Sequence, residues 1–222
     1  MSKRVICSFI LKLVVIVSAV VGIYLSAYGS YSEFMAGSSV FMFFTIQSNI
    51  LIAIICLIGA VLLLRKKEVP NGWYVFKYVG TVAITLTGVV FCVVLAPTLG
   101  ERAWYLRNVL THVVVPIGAI LDFFVSGIDS DISKKSVFLV TIPPILYAIY
   151  AGIGYAQNWQ FAPGYNYPYF FLNWGSPAGV FGFTKEIPFM GTAWWILAIL
   201  FFLLFIGWLY LVILDKFKKK AK

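Results

Sequence analysis

Long apolar runs separated by short polar stretches set the pattern of this chain. Six of them lie near Ile6–Tyr28, Phe41–Leu64, Val75–Leu95, Val109–Val125, Val137–Tyr155 and Ala193–Leu214. Each is long enough to cross a bilayer core of roughly 30 Å. A backbone in lipid must satisfy its own hydrogen bonds, and runs this continuous favour helices over barrel strands. The pattern predicts an all-α, polytopic membrane protein with six transmembrane helices in one bundle, a single domain over residues 1–222. Most connections are short enough to force neighbouring helices antiparallel. The exception is the outer stretch Gln157–Gly191, where Trp159, Phe161, Tyr165, Tyr167, Tyr169, Phe170, Phe171 and Trp174 alternate with four prolines. Such a loop is too aromatic for disorder. It reads either as an interfacial aromatic belt or as a lid over an outward cavity.

Composition sharpens this picture. The hydrophobic fraction of 62% and the aromatic fraction of 18%, with a mean hydropathy of +0.96, exclude an ordinary soluble domain. The first run follows Lys3 and Arg4 as a secretory signal would, but exceeds a typical signal core, so a retained helix is expected. Basic residues are asymmetric: fourteen of the 17 fall at the ends shared with the two termini, and only Arg102, Arg107 and Lys185 fall on the other side. The positive-inside rule then puts both termini in the cytoplasm. The net charge of +9 therefore requires no nucleic acid. Lysines after Leu214 hold the last helix to an anionic leaflet, each worth about 1 kcal/mol.

Cys7, Cys56 and Cys92 all lie in apolar runs and read as small buried hydrophobes rather than as a disulfide or zinc framework. A single histidine excludes a multi-histidine metal site within one chain, and no glycine-rich phosphate loop is present. No cofactor and no metal are expected.

That histidine, His112, carries the sharpest candidate chemistry. An ionisable group inside a span marks a functional site by default. Thr45, Ser48 and Asn49 share one face of the second span, and Asn108, Thr111 and His112 repeat the spacing at the start of the fourth. At 1.5 Å per residue, Thr45 and His112 each fall about 6 Å below the same interface. A threonine hydroxyl becomes a nucleophile when a base takes its proton, and histidine titrates in the useful range. Gln47, Ser48, Asn49 and Asn108 are candidate substrate-binding donors near the pair, with Tyr167 and Tyr169 in the outer loop. Thr81, Thr85, Gly88 and Cys92 form a stripe read as a helix contact. The residues alone leave three readings: ester hydrolysis, a histidine that pins two helices, or a proton-coupled carrier. A noncatalytic lipid-binding scaffold also fits the composition. The carrier would use Asp122, about 80° around the helix axis from His112, at an end where Lys134 and Lys135 could neutralise it.

Four segments occur in order: Phe43-Phe44-Thr45-Ile46-Gln47-Ser48-Asn49, Val93-Val94-Leu95-Ala96-Pro97, Thr111-His112-Val113-Val114-Val115-Pro116 and Asn166-Tyr167-Pro168-Tyr169-Phe170-Phe171. In these the chain resembles bacterial six-helix membrane proteins distantly related to the androgen-induced membrane proteins of animals. That resemblance implies an integral protein of the bacterial plasma membrane. The animal proteins are regarded as intramembrane threonine hydrolases of fatty acid esters of hydroxy fatty acids. By the resemblance, Thr45 would be the nucleophile, His112 the base, and the partner a membrane lipid or fatty-acid ester.

Overall fold

The computed structural model describes residues 2–29, 37–66, 69–127 and 130–221. Among them, six helices are long and apolar enough to cross a membrane: α1 (Lys3–Tyr28), α2 (Phe44–Leu64), α3 (Asn71–Trp104), α4 (Leu106–Ser126), α5 (Lys134–Ala156) and α6 (Thr192–Lys220). Each coincides with one expected apolar run, which makes the chain a multi-pass helical membrane protein. The largest departure is α3, which continues through Pro97 to Trp104 and leaves only Tyr105 before α4.

The lateral arrangement follows from which faces carry small and polar residues. α1 packs on α2 and α4, and α3 packs on the same two, so α1–α4 form a four-helix core with α5 and α6 against α3. The outward faces are apolar: Val17 and Val20 of α1 and Phe201, Phe205 and Trp208 of α6 are exposed, as a lipid-facing surface requires. Cys7 and Cys92 share that surface and only Cys56 is buried, which corrects the expectation of three buried cysteines. Their apolar runs fixed depth in the membrane, whereas helix rotation decided which side faces lipid.

Two prolines shape the half of the core nearest the loop 157–191. Proline has no N–H to continue an i→i−4 ladder. Just before Pro97 the Ala96 N–H reaches back to the Phe91 carbonyl, and just before Pro116 the Val115 N–H reaches the Leu110 carbonyl. Both helices are thereby widened into π-helical turns, over Phe91–Leu95 in α3 and Leu110–Val114 in α4. Such turns recur at functional sites. The two meet at Gly88, where an added Cβ would stand 2.9 Å from the His112 carbonyl oxygen and 3.1 Å from Pro116. Glycine is needed there because the two backbones approach that closely.

Part of the stripe on α3 makes a helix contact, while Cys92 at its end is exposed. Thr85 hydrogen-bonds Tyr210 of α6 at 3.0 Å, while Gly88 meets α4. The loop 157–191 both covers and faces outward. Phe161, Phe171 and Leu172 are buried, whereas Phe181, Phe183 and Phe189 remain exposed. One part of the loop packs on the bundle and another part is exposed.

Candidate functional site

Thr45 is the second residue of α2, in the turn whose N–H groups have no carbonyl ahead of them. Phe43 precedes the helix without a side-chain cap. The Tyr169 hydroxyl takes that place, 3.3 Å from the Thr45 backbone nitrogen and 3.4 Å from Thr45 Oγ1. Its ring is wedged edge-on against Phe43 (centroids 5.8 Å apart) and stacked on Phe171 at 5.0 Å. Burial pushes the Tyr169 phenol above its ordinary value, against the opposing pull of its hydrogen bonds to Thr45. It therefore stays a neutral hydroxyl at physiological pH.

His112 is held by its own helix. Its Nδ1 lies 3.0 Å from the Asn108 carbonyl and 3.0 Å from Thr111 Oγ1. A carbonyl only accepts, and Thr111 already donates its proton to the Arg107 carbonyl at 2.8 Å, so Nδ1 carries the hydrogen. The lone pair is left on Nε2, the basic nitrogen. The ring lies on Phe91, with centroids 3.8 Å apart and planes 21° apart. Both rings come from the proline-induced π turns, and Phe91 is the partner that sequence reasoning missed. Its only signal is Pro97 standing as far beyond it as Pro116 stands beyond Leu110.

A cavity of about 440 Å³ runs above the pair and is lined by both Thr45 and His112. That is within the usual size of a small-molecule pocket, roughly 300–1,000 Å³. Asn108, Tyr167 and Tyr169 also line it, together with Arg102 and Arg107. Their sequence signal was position: they are two of the three basic residues on that side. A narrower apolar slot of about 60 Å³ runs inward between α3, α5 and α6. Thr45, Phe91, Leu95 and Tyr169 line both spaces, so Thr45 stands between them. No direct hydrogen bond joins Thr45 to His112 among the described residues; they share a cavity.

The remaining candidates stand around this centre. Asn49 is fully buried and its amide donates to the Thr45 carbonyl (2.8 Å) and the Thr111 carbonyl (3.1 Å). It thus ties the turn bearing Thr45 to the turn bearing His112. Ser48 bonds Thr87 Oγ1 at 2.7 Å and the Thr45 carbonyl at 3.0 Å, joining α2 to α3. Gln47 reaches back to the Phe41 carbonyl at 3.1 Å. None of these three lines either space, whereas Asn108 does and also holds the Arg102 carbonyl at 3.0 Å.

Asp122 has partners other than those expected. Lys134 and Lys135 do not reach it; Lys12 of α1 (2.7 Å) and Lys77 of α3 pair with its two carboxylate oxygens. Both lysines are buried, so they leave the set of end charges, and fourteen less two gives twelve against three. No protein-family model, curated protein or solved structure matches the chain.

Proposed function

We propose that this protein is an intramembrane hydrolase of lipid esters, with Thr45 as nucleophile and His112 as general base. One observation carries the reading: Thr45 stands where a partly polar cavity meets an apolar slot, and His112 lines the same cavity. An acyl ester bound there would place its carbonyl carbon at Thr45 Oγ1 and the first few carbons of its chain at the slot. The hydroxyl attacks that carbon while its proton passes to His112 Nε2. The tetrahedral oxyanion lies at the α2 N-terminus, whose positive dipole end favours it, with the Tyr169 hydroxyl as a donor. Collapse breaks the ester C–O bond, and the leaving alkoxide takes the proton from His112. Water, deprotonated by the same nitrogen, then cleaves the acyl-threonine, releasing a fatty acid and restoring the hydroxyl.

Arg102 and Arg107 on the cavity wall suit a substrate that carries an anionic group as well as the ester. The twelve-to-three asymmetry supports cytoplasmic termini, with the site near the outer leaflet; a bacterial plasma membrane rests on the resemblance alone. The test is labelling of the purified protein by a fluorophosphonate directed at serine and threonine nucleophiles. Thr45→Ala should abolish labelling. His112→Ala should slow it by about 10²-fold or more if proton removal limits the step. Labelling and ester turnover unchanged in Thr45→Ala would refute the mechanism.

A further inference from the structure

A second polar cluster lies at the opposite end of the core, where α1 begins and α2 ends, and the hydrolysis does not use it. The Asp122 carboxylate is fully buried and accepts from Lys12 Nζ, Lys77 Nζ and, at 2.6 Å, Ser8 Oγ. Lys77 has an acceptor for each of its three N–H bonds: Asp122 Oδ2, the Asp122 carbonyl at 3.2 Å and Ser126 Oγ at 2.6 Å. Lys12 has two among the described residues, Asp122 Oδ1 and Ser8 Oγ at 2.6 Å. One Lys12 proton is therefore left over. Its side chain passes over Gly59, where a Cβ would stand 2.8 Å from Lys12 Cε.

The charge count is also incomplete. Among the described residues two ammonium groups face one carboxylate, and both lysines are 3% exposed. A surplus buried charge costs several kcal/mol unless something compensates it. A purely structural pair would need one lysine, not two. Beside the cluster is a cavity of about 70 Å³, well above the ~10–15 Å³ one water needs. Lys12 and Lys77 line it, and so does Arg4. Trp73 and Tyr74 also line it, aromatic types that settle at headgroup level.

We propose that this cavity binds a phosphate group, whose oxyanion accepts the third Lys12 proton and cancels the surplus charge. The aromatic rim sets the cavity at the depth of lipid phosphates, so an anionic phospholipid headgroup is the expected source and free phosphate the other. This site is independent of the ester site, and its test reads binding rather than hydrolysis.

The full chain, delipidated in neutral detergent, is heated with phosphatidylglycerol, phosphatidylcholine or inorganic phosphate at matched ionic strength. Phosphatidylglycerol should raise the unfolding midpoint saturably, as a ligand of the folded state must. An equal rise with inorganic phosphate would make free phosphate the source. Lys12→Gln leaves a neutral Lys77–Asp122 pair. It should lower the apparent affinity about tenfold or more, the loss of one charge-assisted hydrogen bond, while being at least as stable as the wild type without ligand. Val5→Trp fills the cavity and leaves the cluster intact; it should abolish the shift. The proposal is overturned by an absent shift with both phosphate sources, or by an undiminished shift in the two variants. A Lys12→Gln protein less stable than wild type without ligand would likewise assign Lys12 a structural role.

Discussion

Asp122→Asn is expected to be among the most damaging single changes in the chain. The substitution keeps the shape but removes the negative charge that two buried ammonium groups share. Breaking a buried ion pair by neutralising one partner costs about 3–5 kcal/mol, because the other charge is left uncompensated. Here two are left. One kcal/mol shifts the midpoint of a chain this size by roughly 2–4 °C, so a fall of about 6–20 °C is expected. The assay is heating in detergent, followed by the fraction that remains monodisperse on size-exclusion chromatography. Asp122→Leu combined with Lys12→Met and Lys77→Met should recover most of the loss, since apolar replacement of a buried ionic cluster is often neutral. A single Asp122→Asn protein within about 2 °C of wild type would refute the reasoning, since the predicted electrostatic loss exceeds that several-fold.

Three further outcomes follow from packing and topology. Asn49→Leu removes two buried hydrogen bonds and leaves the Thr111 carbonyl without its amide donor, while the Thr45 carbonyl keeps Ser48 Oγ; at ~1–3 kcal/mol for one orphaned group, denaturation should show a loss of at least about 1 kcal/mol, together with slower fluorophosphonate labelling. Gly88→Ala pushes a methyl to 2.9 Å from the His112 carbonyl, and should cost about 1–3 kcal/mol by overpacking; an unchanged thermal midpoint would contradict the close approach. Cysteine introduced at Lys66 should react with a membrane-impermeant maleimide only after cells are opened, and labelling in intact cells would reverse the proposed orientation.

The sequence by itself determined the six spans, because hydropathy is a local property and a run of about 20 apolar residues has few alternatives in lipid. It also determined which polar residues share a helix face: Thr45 with Asn49, and Asn108 with His112. The loop 157–191 was legible as ordered from its aromatic content. Tertiary structure alone decided what those faces meet. Asn49 looked like a substrate donor from its spacing, yet it bridges two carbonyls from α2 to α4. Lys12 and Lys77 looked like end charges, yet they converge on Asp122 across 110 and 45 residues. Phe91 was marked only by its distance from Pro97, which does not say that its ring would lie on His112. The physical reason is common to all three. Lipid tails are as apolar as leucine, so hydrophobicity sets depth but not which helix faces which. That choice rests on close approach at glycines such as Gly88, on turns widened ahead of Pro97 and Pro116, and on buried polar groups finding partners far along the chain.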